Sequence, residues 1–423
     1  MKILVVGSGG REHALCWAFK QSEKTEKIFC ANGNAGIAEI AECVNIKPDE
    51  IAELADFAET SQIDLTFVGG ETSLALGIVD EFEKRGLKII GASRQAAQLE
   101  SSKSFAKDFM AKHNIPTAKY KTANSAEEAK EILQRGLFGD ENAPVVVKAD
   151  GLAAGKGVVV AQNRAEAIEA VSGLENLVGK KATEKIVLEE YLTGKEVSLL
   201  MFADGKHFAL MPPARDHKRI GENDTGANTG GMGVITDTNL LSDEQQNEII
   251  KKIIKPTLNG AEHEGFPFRG ILFLGLMMTE TGAKVLEYNV RFGDPETQAI
   301  LVRLETDLIE ICQAMLNQKL DKTIIKWKKG SSVCVVLASR GYPYKAEIGD
   351  LINGLDDIAA HKQVVVFHAG TARNETDEFI TAGGRVLGVT AVAPNLNGAI
   401  NRAYNAVSQI SFNGMQFRRD IGN

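Results

Sequence analysis

Residues 285–298 read VLEYNVRFGDPETQ. The first half alternates as a strand does, so side chains two apart share a face: Glu287, Asn289 and Arg291 project together, with Val285 flanking the strand start on the same side. A carboxylate and an amide oxygen suit a hard cation such as Mg²⁺, which prefers oxygen ligands, keeps several waters and completes its shell with substrate phosphates. An arginine beside them can hold a migrating phosphoryl group. Phe292-Gly293-Asp294-Pro295 then turns the chain sharply toward another acid, Glu296.

Upstream of this stretch, strand-like runs alternate with glycine loops: APVVVKADG, KGVVVA, EKIVLEEYL, EVSLLMFADG and GILFLGLMMTETGAKVLEY. Turns at Ala203-Asp204-Gly205 and Thr281-Gly282 predict antiparallel hairpins. Lys148 ends one strand, and Lys156 lies between Gly155 and Gly157 in a loop whose small residues let backbone N–H groups approach phosphate oxygens. It is not a Walker A loop: Asp150 stands where the first glycine belongs, and Gly157 follows the lysine. In LEEYLTGKEVSLL, Glu189, Glu190, the backbone of Tyr191 and Leu192, and Glu196 form a pattern suited to a hinge beside adenine with an acceptor for ribose hydroxyls. The cationic run Arg215-Asp216-His217-Lys218-Arg219 precedes the loop Asn228-Thr229-Gly230-Gly231-Met232-Gly233, which is too rich in small residues to be a packed element and reads as a substrate or phosphate loop.

The first hundred residues have another rhythm, in which KILVV, KIFCA, DLTFVGG and LKIIG alternate with helical periodicity and predict a parallel sheet with helices on its faces. KILVV runs into Gly7-Ser8-Gly9-Gly10-Arg11-Glu12. A dinucleotide fingerprint fits poorly, because its third glycine falls on Glu12 and no acid ends the second strand at Cys30-Ala31-Asn32. Two readings stay open for Gly9 and Arg11: a tight strand-to-helix turn, or helix-start amides that meet a substrate anion. A helix is expected from about residue 96 to 113, ended by Asn114-Ile115-Pro116. After Lys329 come three further strands (SVCVVLAS, QVVVFHAG, RVLGVTAV) and a helix over 397–409, together a small α+β cap.

Bulk properties suit a multidomain globular protein of the cytosol. At ~150 residues per domain, 423 residues suggest about three. The net charge of −8 argues against nucleic acid as the main partner. Five scattered cysteines (Cys16, Cys30, Cys43, Cys312, Cys334) outline neither a disulfide framework nor a zinc knuckle. The apolar run Ile3–Val6 stops at Gly7, too short for a signal peptide, and no later stretch is long enough to span a membrane.

With these residues in view, the chain resembles the phosphoribosylamine–glycine ligase family of ATP-grasp enzymes. GSGGREHAL, VKADGLAAGKGV, DHKR with NTGGMG, RFGDPETQ, ASRGYP, HAGTA and GGRVLGVTA all fall in that family's order across the whole chain. The resemblance implies a Rossmann-like N-terminal domain over 1–101, an ATP-grasp domain over 102–326 with a mobile lid at about 119–192, and a C-terminal α+β domain over 327–423. It also implies ligation of glycine to 5-phosphoribosylamine with ATP and Mg²⁺ or Mn²⁺ in purine biosynthesis, by a monomer. Lys103 and Lys148 would then hold ATP phosphates beneath the loop of Gly155, Lys156 and Gly157. Glu189, Glu190 and Leu192 would meet adenine, Glu196 the ribose, and Glu287 with Asn289 the metal. Arg291 would stabilise the transferring phosphoryl group. Glu71 would touch the ribosylamine sugar, Gly9, Arg11 and Asp294 would meet substrate, and Asp216, Asn228, Gly230 and Gly231 would border glycine. Two departures stand out: the strand preceding this one reads Leu274-Gly275-Leu276-Met277, without the acid that gives the wider superfamily another metal ligand, and Ala227 replaces a proline. Two rival readings are an ATP-grasp ligase using formate and a nucleotide-binding regulator without turnover.

Overall fold

The computed structural model describes residues 1–151, 157–359 and 363–423. At the N-terminus, β1 (Lys2–Gly7), β2 (Lys27–Asn32), β3 (Glu42–Val44), β4 (Leu65–Val68) and β5 (Ile89–Ile90) form a wholly parallel sheet in the order β3-β2-β1-β4-β5. Val5, Val6 and Phe67 are buried, as the near-continuous apolar strands of a sheet covered on both faces require. The three-residue β3, Glu-Cys-Val, carries no apolar run and was not among the expected strands. The strand order reverses between β1 and β4, so the loops leaving their carboxyl ends, with Gly9 and Arg11 on one and Glu71 on the other, open into a shared crevice.

The single helix expected from 96 to 113 is two. A short turn at Gln98–Ser101 is followed by Ser102 in extended conformation, and Lys103–Lys112 begins a new helix. Ser102 Oγ caps it by accepting from the Phe105 amide, and Asp150 accepts from the Ser104 amide at 2.6 Å. This break sets Lys103 at a helix start, tied to the segment that follows Lys148.

A second unit contains β6 (Tyr120–Ala123), β7 (Val145–Ala149), β8 (Val158–Ala161) and β9 (Ile186–Glu190), antiparallel in the order β6-β9-β7-β8. Helices Ala126–Gln134 and Arg164–Val178 pack on it around a core of its own, built from Ile132, Leu133, Val145, Val147, Val171 and Leu188.

The largest sheet follows. It takes β10 (Lys195–Asp204), β11 (Phe208–Leu210), β12 (Ala214–Asp216), then past the hairpin β13 (Arg219–Gly221) and β14 (Thr225–Asn228) it takes β15 (Gly233–Thr236), β16 (Arg269–Thr279) and β17 (Gly282–Asn289). The C-terminal strands β18 (Ser331–Ala338), β19 (Val364–His368) and β22 (Arg385–Ala393) extend the same sheet, with β20 (Thr371–Arg373) and β21 (Phe379–Thr381) as a separate hairpin. The order is β17-β16-β10-β12-β15-β18-β22-β19, with β11 beside β10. The C-terminal cap is therefore hydrogen-bonded into the central sheet through β15 and β18, where Ile235 pairs with Val333.

On β17 a bulge corrects the expected alternation. Gly275 lies opposite Glu287 and Leu276 opposite Val285, which leaves Leu286 as the extra residue. Val285 consequently joins Tyr288 and Val290 in the core, while Glu287 and Asn289 remain on the open face.

Candidate active site

Three elements converge on the open face of β17. From the helix Lys103–Lys112 comes Lys103, and from β7 comes Lys148, whose ammonium donates to the Leu286 carbonyl at 3.3 Å. From the segment after β12 comes Lys218, 3.3 Å from Glu196 and 3.9 Å from Glu287. Burial lowers the Lys103 pKa, since desolvation and the nearby Lys148 outweigh the attraction of Glu287 and Asp150. Around Glu287 the balance is opposite: burial works to raise its pKa, but Lys218, Lys148, Lys103 and Arg291 together hold it below the usual carboxylate range. Glu287 is thus an anion ringed by cations, the electrostatics expected where a metal-bound polyphosphate is to sit.

The donor set fits a divalent cation. Glu287 and Asn289 offer two hard oxygens on one strand, and Gly275, opposite Glu287, adds none. Among the described residues no group of three or more His, Cys, Asp or Glu is arranged to hold a metal. Such a pair suits an ion that keeps waters and takes phosphate oxygens, not one caged by protein.

Beside them Arg291 spreads its guanidinium over four partners. Nε lies 3.2 Å from Glu71, Nη2 2.8 Å from Glu100 and 3.2 Å from Asn289 Oδ1, and Nη1 3.1 Å from the Phe292 carbonyl. Glu100 also accepts the Val290 amide at 2.8 Å, so it anchors the strand exit and the arginine together. Burial raises the Glu100 pKa even against Arg291.

Across Glu71 the site continues to Arg11, 3.9 Å away. Glu71 is held down at about 2, because Arg291 and Arg11 overcome the upward push of burial. The Gly9 amide, expected at a substrate anion, donates to Glu12 at 2.6 Å, and Glu12 also pairs with Arg11 Nε at 2.6 Å. The helix start is therefore closed by its own carboxylate, and Arg11 Nη1 donates to the Phe292 carbonyl at 3.0 Å.

Arg385, at the start of β22, was singled out by no sequence signal beyond its motif. Its guanidinium donates to the Gly230 carbonyl at 2.5 Å and the Asp294 carbonyl at 2.6 Å, and lies 3.4 Å from the Asp294 carboxylate. Burial tends to raise the Asp294 pKa, yet Arg385 and Arg11 keep it lowered. Tyr342 accepts the Gly230 amide at 3.0 Å. Gly231 has φ +107°, and a Cβ there would come within 2.6 Å of both Asp216 Oδ1 and Pro295, so only glycine brings this loop so close. Asp216 Oδ1 is buried without a hydrogen-bond partner, and burial with neighbouring Glu296 raises its pKa.

On the side of β9, the Glu190 carboxylate accepts the Lys119 amide at 3.0 Å and pairs with Lys284 at 3.2 Å, while Leu192 is buried against Ala118 and Met277. Glu196 is exposed at the rim, and Asn228 pairs with Arg219 in the small hairpin. Glu189 is buried between two lysines. Gly155 and Lys156 lie outside the described residues; Gly157 leads into β8, its carbonyl accepting the Ala149 amide at 2.8 Å.

Comparison with known proteins gives the same reading over the full length. The phosphoribosylglycinamide synthetase N domain matches residues 1–100, its ATP-grasp (A) domain 101–297 and its C domain 332–423. The phosphoribosylamine–glycine ligase of Caldanaerobacter subterraneus subsp. tengcongensis is 45% identical over 422 residues, covering 100% of this chain and 99% of that one. Its namesake from Vibrio vulnificus is 46% identical over 427 residues, covering 100% and 98%. A crystal structure of phosphoribosylamine–glycine ligase from Thermotoga maritima is 31% identical with a TM-score of 0.85, and each chain is covered completely. By its three domains, its full-length relatives and its fold, the chain belongs to the phosphoribosylamine–glycine ligase family.

Proposed function

We infer that the protein ligates glycine to 5-phosphoribosylamine at the expense of ATP, yielding glycinamide ribonucleotide, ADP and phosphate in purine biosynthesis. The observation that carries this reading is the position of Arg291, which joins the lysine-ringed Glu287–Asn289 face to the Glu71–Arg11 side of the crevice.

A glycine carboxylate oxygen attacks the γ-phosphorus and the bond to ADP breaks; the ribosylamine nitrogen then attacks the carbonyl of the resulting glycyl phosphate and phosphate leaves. The amine proton departs with phosphate or solvent. No protein nucleophile is required, because phosphorylation creates the electrophile. Lys103 and Lys148 hold the phosphates, Arg291 faces the transferring group, and Glu190, Leu192 and Glu196 border the nucleoside. Glu71, Arg11 and Asp294 line the ribosylamine side, while Asp216 and the loop of Gly230 and Gly231 border glycine. A bound Mg²⁺ or Mn²⁺, held by Glu287 and Asn289, would neutralise the outer phosphates. Residues 1–101, 102–326 and 327–423 act as three units, and about 119–192, with its separate core, closes as a lid that excludes water. The protein acts as a cytoplasmic monomer; among the described residues no helix is long and apolar enough to cross a membrane.

The test incubates protein with ATP, Mg²⁺, labelled glycine and freshly made phosphoribosylamine, and follows ADP and labelled ribotide. Formation of both, dependent on glycine, is expected. ADP release dependent on formate instead, or tight ATP binding with no ADP, would overturn the assignment.

A further inference from the structure

Glu189 and its lysines form part of a closed ring of interactions. Lys107, on the helix Lys103–Lys112, lies 2.9 Å from Glu189 Oε2 and donates to Thr117 Oγ1 at 2.7 Å. Thr117 in turn donates to the Val285 carbonyl at 2.6 Å, on the strand that carries Glu287 and Asn289. On the other side Lys148 lies 2.8 Å from Glu189 Oε1, and its ammonium donates to the next carbonyl of that strand, Leu286. Glu189 Oε1 makes no aligned hydrogen bond despite that short distance, whereas Oε2 faces Lys107. Side-chain exposures of 3% at Lys107 and 2% at Glu189 place the pair in the interior.

One buried carboxylate thus faces two ammonium groups, of which one has a further task at the phosphates. If Lys148 turns toward a polyphosphate, Glu189 still needs a cation, because a buried carboxylate left without one is costly. Lys107 is placed to supply it, and its tie through Thr117 to β17 fixes it to the body of the protein and not to the four-stranded unit that carries Glu189 and Lys148. We propose that Lys107 is a positioning residue for nucleotide binding: by keeping Glu189 neutralised it frees Lys148 to engage the ATP phosphates. The inference rests on the nucleotide-binding reading above, in that Lys148 is taken to meet phosphate.

The surroundings of Lys107 also give the ring a pH dependence. Burial lowers Lys107 to about 8, despite the pull of Glu189 and the weaker pull of Glu190 on the same strand, and Lys148 on β7 adds repulsion. Tyr120 of β6 lies with its ring 5.9 Å from the ammonium, and its hydroxyl donates a hydrogen bond to Asp108. Loss of the Lys107 charge leaves Lys148, among the described residues, as the cation paired with Glu189.

The test measures ATP dissociation constants by calorimetry, without glycine or ribosylamine, for the full chain and its Lys107→Met and Lys107→Arg forms, each checked for wild-type circular dichroism. Expected for Lys107→Met is a rise of about tenfold or more, the effect of leaving a buried charge short of its partner. In steady state its KM for ATP should rise while kcat at saturating ATP and KM for glycine change by less than about threefold. Wild-type affinity should weaken as pH rises through about 8, whereas Lys107→Arg, which keeps its charge, should stay tight and flat. A folded Lys107→Met chain that binds ATP within about twofold of wild type overturns the proposal, as does a parallel rise in every KM with a matching fall in kcat, the pattern of general loosening. Should the wild type bind ATP without forming ribotide, the assigned reaction fails while the comparison of Lys107 forms still decides this point.

Discussion

Replacing Arg291 with alanine separates its part in the reaction from its part in holding the site together. In the mechanism proposed above its guanidinium faces the transferring phosphoryl group, and removing one preorganised donor of that kind costs roughly 10²-fold or more in kcat, about 3 kcal/mol. ATP affinity should change by less than about threefold, since in the same proposal Lys103 and Lys148 hold the phosphates independently. Stability should fall as well. Holding Glu71 at about 2 against its usual 4.5 corresponds to roughly 3 kcal/mol shared between Arg291 and Arg11, less what solvent screens at a side chain 30% exposed. Glu100, only 7% exposed, loses the guanidinium 2.8 Å away and keeps only the more distant pull of Arg11. The pH dependence has a definite sign. Stability contributed by the depressed Glu71 is present above pH ~4.5 and lost as pH falls through about 2. The raised Glu100 opposes folding increasingly as pH rises, and without Arg291 it does so more strongly. The deficit of the variant should therefore be largest near pH ~7 and shrink toward pH ~4. Single-turnover kinetics, ATP calorimetry and urea midpoints at the two pH values check each part. A folded variant with turnover within about threefold of wild type, or one whose ATP affinity falls in step with turnover, would refute the reasoning.

Arg385→Met takes the charged donor from the exposed Gly230 carbonyl and the part-buried Asp294 carbonyl, which at ~1.5 kcal/mol for a hydrogen bond to a charged group should raise KM for glycine or ribosylamine about tenfold, with KM for ATP little changed in the same assay. For Glu287→Gln, titration of activity with Mg²⁺ should show a half-saturating concentration at least about tenfold higher, because the proposed metal site keeps a neutral amide oxygen there but loses the carboxylate's charge. His13 and His368 are buried and held neutral, lowered to about 3 and about 4. Unfolded imidazoles take up protons below pH ~6.5, so the stability they contribute above that value is lost on acidification, by about 2 kcal/mol each at pH ~5; urea midpoints across that window should fall less steeply for His13→Asn.

Legibility in the sequence followed the range of the interaction. Alternation along 285–291 made Glu287, Asn289 and Arg291 visible as neighbours, because a strand's period of two is local; the bulge that puts Val285 in the core depends on β16 and left no local sign. The N-terminal parallel sheet was readable from its apolar strands, whereas β3, with no such run, was not. Arg385, Glu100 and Lys107 escaped because each meets its partner across 82 to 191 positions of chain, and an isolated charged residue looks like solvated surface until the fold closes over it. The extension of the central sheet into the C-terminal region was hidden for the same reason, since β15 and β18 are separated by most of a domain. Ser102 was read as helix interior, although a serine able to cap is as good a place to begin a helix as to continue one.

The central claim is that ATP lies in the cleft between the four-stranded unit and β17, with its outer phosphate at Arg291. A crystal structure with a non-hydrolysable ATP analogue, Mg²⁺ and glycine tests it most directly. The account predicts the γ-phosphate between Lys148 and Arg291, the metal on Glu287 and Asn289, and the glycine carboxylate in line with the phosphorus. A triphosphate bound away from the Gly282–Asn289 strand would contradict it.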